Sequence, residues 1–114
     1  MLILRFVASM FSVGVMSLST SIVSGQSFPN KPIRFVAVEP GGGTDIVARL
    51  IAPGLTSGLA QQVIIDNRPA GVIPGQIVSK APPDGYTLLV SSGILWLMSF
   101  MRDRMPFDPM KDFS

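Results

Sequence analysis

Two residue types are missing from this chain of 114 residues: it has no histidine and no cysteine. Their absence removes the commonest general bases, thiol nucleophiles and zinc ligands. It also leaves no disulfide and no cysteine to carry a lipid anchor. Charge is scarce, at 14% of residues, and nine basic against seven acidic side chains give a formal net charge of +2. No basic cluster is long enough to track a phosphate backbone, so nucleic acid is not an expected partner. Nucleotide loops are missing as well. The chain contains no G-x-x-x-x-G-K-[ST], and Gly41 to Ile46 does not spell G-x-G-x-x-G. No G-x-S-x-G elbow surrounds Ser91-Ser92-Gly93. No catalytic residue, metal site or cofactor is expected.

What the chain has is apolar surface, with 47% hydrophobic residues. Part of it lies in a leader. Arg5 supplies a thin positive start, Phe6 to Val23 carries no charge, and Val23-Ser24-Gly25 offers a cleavage site before Gln26. Serines at 9, 12, 17, 19 and 21 dilute the run below the roughly 20 strongly apolar residues of a spanning helix. Residues 1–25 are therefore expected to be a cleaved export signal, the alternative being a retained anchor, and the protein is expected in the periplasm. Loss of Arg5 leaves eight basic residues against seven acidic, so the mature part is nearly neutral.

Beyond the leader the segments alternate. Ile33 to Val38, Gln62 to Asp66 and Tyr86 to Val90 read as buried strands. Between them, a helical period starts near Thr44, with Val47, Leu50, Ile51, Gly54 and Leu55 on one apolar stripe. Pro74 suits the start of a short helix, Ala81-Pro82-Pro83-Asp84-Gly85 marks a turn, and Ser91-Ser92-Gly93 opens an apolar helix through Met101. On that helix Trp96 and Phe100 read as core. Short connections between strands and helices imply an α/β fold in the order βαβαβα, with a parallel sheet and right-handed crossovers. Pro53 opposes the first helix, at about 3 kcal/mol, and implies a kink there or an end near Ala52 with a restart.

Pro40-Gly41-Gly42-Gly43-Thr44-Asp45 carries most of the chemistry. Three glycines between a strand and a helix let backbone N–H groups converge, and the helix start adds partial positive charge, so an anion can be held there. In a parallel sheet, ligands sit at this carboxyl edge. Ser91-Ser92-Gly93 can supply hydrogen bonds at a pocket rim or cap a helix. Asp45 can accept from a ligand or complement the helix dipole. Glu39 opposes an anion unless the ligand also carries a cation, or else points to solvent. Arg68 reads as a salt-bridge partner of Asp66.

Taken together, Pro29 to Arg34, Pro40 to Asp45, Asp66-Asn67-Arg68-Pro69, Lys80 to Leu89 and Pro106 to Phe113 resemble the Bug family, the extracytoplasmic receptors of tripartite tricarboxylate transporters. The run Ala-Pro-Pro-Asp-Gly-Tyr-Thr-Leu-Leu is the most specific part, and the resemblance covers the mature chain. It implies a two-domain, hinge-closing receptor of the type II periplasmic-binding fold, which captures a small organic acid or acidic amino acid and docks to membrane permease subunits. It further implies that Gly41 to Asp45 and the loop Ala70, Gly71 and Val72 grip a ligand carboxylate, with Ser91, Ser92 and Gly93 in the same cleft. Two departures stand out: Glu39 replaces a small residue or proline, and Pro69 to Gly75 is shorter than the usual glycine-rich loop. Members are about three times longer, so residues 26–114 are expected to be the amino-terminal part of a first domain, with the second missing. The rival readings are a small secreted α/β enzyme with a glycine-loop oxyanion site, and a non-functional truncated product.

Overall fold

A computed structural model describes residues 27–113. The expected leader, residues 1–25, lies outside them. Strand β1 (Ile33–Ala37), helix α1 (Gly43–Leu59), strand β2 (Val63–Asn67), helix α2 (Ile73–Ser79), strand β3 (Thr87–Leu89) and helix α3 (Ile94–Met101) follow in order. Each strand lies within a residue or two of its expected bounds. The sheet has the order β2-β1-β3, and both pairings are parallel, with Phe35 opposite Ile65 on one side and Leu88 on the other. This is the expected βαβαβα arrangement.

Alternation along β1 divides the core. Ile33 and Phe35 meet Ala48 of α1, with Leu59, Val63, Ile65 and Val90 packed around them. Val36, fully buried, points to the other side of the sheet. Helix α1 packs on β1 and β2, and α2 on β3 and β1. The buried positions of α1 are Asp45, Ala48 and Ala52. This corrects the expected apolar stripe: Val47, Leu50, Ile51 and Leu55 are exposed, Leu50 by 74%. Alanine methyls let the helix axis approach the sheet closely, whereas the branched residues would hold it off. Sequence periodicity identified a stripe, but the smaller one faces the strands.

Helix α1 runs through Pro53 with neither an end nor a restart. Pro53 and Arg49, whose carbonyl it leaves without a donor, both lie on the exposed side. The core placement of Trp96 and Phe100 is also overturned. They are 48% and 88% exposed, because α3 turns only Leu95 fully inward. At its far end the chain packs Phe107 edge-on to Phe113 and against Gly75 of α2.

The lead-in to β1 is tied down. Tyr86 accepts from the Asn30 backbone N–H and donates to its Oδ1, each at 2.9 Å. Phe28 lies against the Tyr86 ring, and Lys31 sits 4.4 Å from its centre. Two of the motifs noted in the sequence thus hold each other. No helix among the described residues is long and apolar enough to cross a membrane.

Candidate functional site

Because the three strands are parallel, the loops after them leave from the same edge of the sheet. Strand β1 lies between β2 and β3, so the chain moves to one side of β1 and then crosses to the other. A crevice forms where such a chain reverses direction, between the loops after β1 and β3. A cleft of about 720 Å³ occupies that position. Its lining takes in Gly43 and Thr44 after β1, Ala70 and Gly71 after β2, and Ser91 and Ser92 after β3. Three loops that are far apart in sequence thus share one cavity.

The glycine loop meets the cleft with its last members only. Gly42 precedes α1 in extended conformation, so Gly43 and Thr44 occupy the first turn, where N–H groups have no carbonyl one turn back. These donors and the positive end of the helix suit an anion. Thr44 adds a hydroxyl: its Oγ1 is buried and has no hydrogen-bond partner among the described residues. Gly41 and Gly42 use their N–H groups internally, on Asp45 Oδ2 at 2.9 Å and on the Glu39 carbonyl at 3.1 Å. Gly41 also needs its glycine for a φ of +83°.

Asp45 is 3% exposed and satisfied by the protein alone. Besides Gly41 it accepts from Arg49 Nε at 3.0 Å and from Asn67 Nδ2 at 2.8 Å. The Arg49 bond, then the Gly41 and Asn67 bonds, hold its carboxyl down to about 2 from the usual 3.8. Asn67 also donates to the Val38 carbonyl at 2.6 Å, which ties the end of β2 to the loop after β1. Of the two roles open to Asp45, the structure favours the one at the helix start. It reaches back over the first turn as half of a capping box does.

The remaining candidates sort by position. Pro40 is exposed on the turn, and Val72 and Gly93 cap α2 and α3 instead of lining the cleft. Glu39 is exposed, yet its Oε1 accepts the Ala70 N–H at 3.4 Å and bridges two of the loops. Arg68 pairs with Asp66 at 3.0 Å, as the sequence implied, and Arg34 joins them from β1. Burial pushes the Asp66 carboxyl up, but the bonds from Arg68 and Arg34 outweigh it and the net shift is downward. Sequence reasoning missed Asn67. A polar amide at the end of an apolar strand segment was the available signal. A larger hollow of about 900 Å³ beside β3 is lined by Ile51, Leu88 and Trp96. It shares Ser91 and Ser92 with the smaller cleft and adds Gly93 and the Ala81–Gly85 turn, but it takes in neither the glycine loop nor Ala70-Gly71, so the smaller cleft is the better candidate.

Comparison with known proteins decides the family. The model of the tripartite tricarboxylate transporter family receptor matches residues 47–114. The chain belongs to this family. It is 36% identical over 104 residues to a UPF0065 protein from the tcbD-tcbE intergenic region of Pseudomonas sp. strain P51, covering 86% of this chain and 31% of that one. It is 42% identical over 73 residues to BugT of Bordetella pertussis, covering 61% and 22%. A solved periplasmic transporter superposes with a TM-score of 0.66 at 32% identity, over 75% of this chain and 30% of its own. An R. palustris protein solved with adipate gives 0.64 at 32%, over 73% and 29%. The chain spans about a third of the length of the curated relatives it matches. Members of this receptor family bind solutes for transport and are not enzymes, which sets aside the oxyanion-site reading.

Proposed function

We propose that this chain supplies one wall of an extracytoplasmic receptor for a small carboxylate, the first half of one domain of a two-domain, hinge-closing protein. The observation that carries the reading is the convergence of the Gly43-Thr44, Ala70-Gly71 and Ser91-Ser92 loops on one cleft at the chain reversal. The free first-turn donors of α1 and the buried Thr44 hydroxyl suit one carboxylate group. Each hydrogen bond to a charged oxygen is worth about 1.5–3 kcal/mol. Support for the ligand class comes from the R. palustris neighbour solved with adipate. In a receptor-length protein the second domain closes over this wall and delivers the acid to permease subunits in the membrane. The periplasmic neighbours support the same compartment here, reached through cleavage after Gly25.

An amide chemical-shift titration of the full chain with adipate tests this directly. One wall cannot bury its ligand, so the dissociation constant is expected in the millimolar range, about −4 kcal/mol. Amides of Gly43, Thr44, Gly71, Ser91 and Ser92 should move together along one binding curve. Shifts scattered over the surface, or no shift in these loops, would sink the assignment.

A further inference from the structure

The geometry points to a selective wall: the cleft is built for an acid whose carbons next to the carboxylate are unsubstituted and apolar, not for one crowded with hydroxyls or further charges. The inference rests on the carboxylate reading of the same cleft. Its polar lining is confined to the loop residues, the backbone of Gly43, Ala70 and Gly71 and the hydroxyl-bearing Thr44, Ser91 and Ser92. The rest of the lining is apolar and includes Val38, Val47, Leu89, Val90, Ile94 and Met98. Among the described residues no charged side chain lines the cleft. The acids nearby are already engaged or of the wrong sign. Asp45 is buried behind the loop on Arg49 and Asn67, and Glu39 stands at the rim on Ala70.

The consequences follow from the cost of desolvation. One carboxylate can exchange its water for first-turn N–H groups and the Thr44 hydroxyl. A second carboxylate or a hydroxyl close to the first would lose water against valine, leucine and methionine and receive no partner. Near Ala70 it would also meet the like charge of Glu39. A methylene chain does the opposite, since it removes apolar surface from water on both sides. Each methylene laid on the wall should tighten binding by about two- to fourfold.

The test is a titration of the full chain with acetate, butyrate, hexanoate, adipate and citrate, read on backbone amides and on side-chain methyls. Acetate and hexanoate should both move the Gly43 and Thr44 amides, whereas only the longer acids move the methyls of Val47, Leu89 and Met98. Affinity should rise from acetate through butyrate to hexanoate, and hexanoate and adipate should bind at least about tenfold tighter than citrate. Val47 is half exposed, so Val47→Lys can be accommodated. It should weaken hexanoate and tighten citrate, each by about threefold or more. Failure of every acid to move the Gly43 and Thr44 amides would remove the carboxylate site and this inference with it. If acetate binds as well as hexanoate, or citrate binds more tightly than either, the site stands and its apolar selectivity is overturned.

Discussion

The carboxylate of Asp45 accepts the backbone N–H of Gly41 at 2.9 Å, so a side chain in the first turn of α1 fastens the loop that leads into it. Arg49 and Asn67 hold the other positions on that carboxylate. The loop is therefore pinned from behind, and its open side faces the cleft. Asp45→Ala should release the turn. Amide exchange at Gly41 should rise to that of an open loop while Val36, at the centre of the sheet, keeps its protection. Equal loss at both positions would mean that Asp45 supports the whole fold and not the loop in particular.

The same network sets an acid limit. The folded carboxyl of Asp45 titrates at about 2, below its usual 3.8. A group whose folded value is depressed stabilises the fold fully above the unfolded value, and that contribution disappears as pH falls through the folded one. Asp66, also shifted downward, acts in the same direction. Urea unfolding at pH 7, 4, 3 and 2 should show little change from 7 to 4 and a steep decline below. In Asp45→Ala the decline between pH 4 and 2 should be shallower.

Much of this was legible in the residues, and the misses have physical causes. Ile33 to Val38, Gln62 to Asp66 and Tyr86 to Val90 are β-prone and mostly apolar, so their type could be read. The expected burial holds for β1 alone, because β2 and β3 flank it at the edges of the sheet and leave Ile64 46% and Leu88 42% exposed. Turn residues such as Pro40-Gly41-Gly42-Gly43 and Pro82-Pro83-Asp84-Gly85 marked the connections. Helix faces were harder. Val47, Leu50 and Ile51 form the stronger apolar stripe, yet Ala48 and Ala52 face the sheet, because approach distance favours a small side chain over a hydrophobic one. Trp96 and Phe100 followed the same rule of thumb and lie outside. The site was half legible: glycines and a helix start pointed to donors after β1, but which donors stay free depends on Asp45 and Glu39 reaching across the loop.

Gly75 is buried against Phe107, and a Cβ there would come within 2.4 Å of the ring. Neither residue has room to yield, as both lie in the interior. Gly75→Ala should cost about 1–3 kcal/mol as overpacking, measured by urea unfolding. Phe107→Leu should recover part of that loss in the alanine background, although it destabilises the parent. Additive losses in the double variant would show that the contact is not the cause.

The Tyr86 hydroxyl makes two exposed hydrogen bonds to Asn30. Tyr86→Phe keeps the ring against Phe28 and under Lys31 and removes only those bonds. The cost should be small, about 0.5–1.5 kcal/mol. Its effect should be local: faster proteolytic cutting near Asn30, with the sheet amides unchanged. If cutting does not accelerate, the ring alone holds the lead-in.

Thr44 allows stability and binding to be separated. Its Oγ1 is buried without a partner among the described residues, and a hydroxyl in that state costs about 1–3 kcal/mol relative to one that is satisfied. A residue kept for the fold alone would be better replaced by an isostere without the hydroxyl. Thr44→Val should thus leave the stability of the unliganded chain unchanged or raise it, by up to about 1 kcal/mol. The same change removes a donor to the carboxylate, so adipate binding should weaken about tenfold, the equivalent of roughly 1.4 kcal/mol. Thr44→Ser, which keeps the hydroxyl, should retain most of the affinity. Thermal unfolding and the adipate titration, run on the three proteins side by side, check both halves. Parallel losses of stability and binding in Thr44→Val would make Thr44 a structural residue and leave the first-turn N–H groups as the only donors from α1.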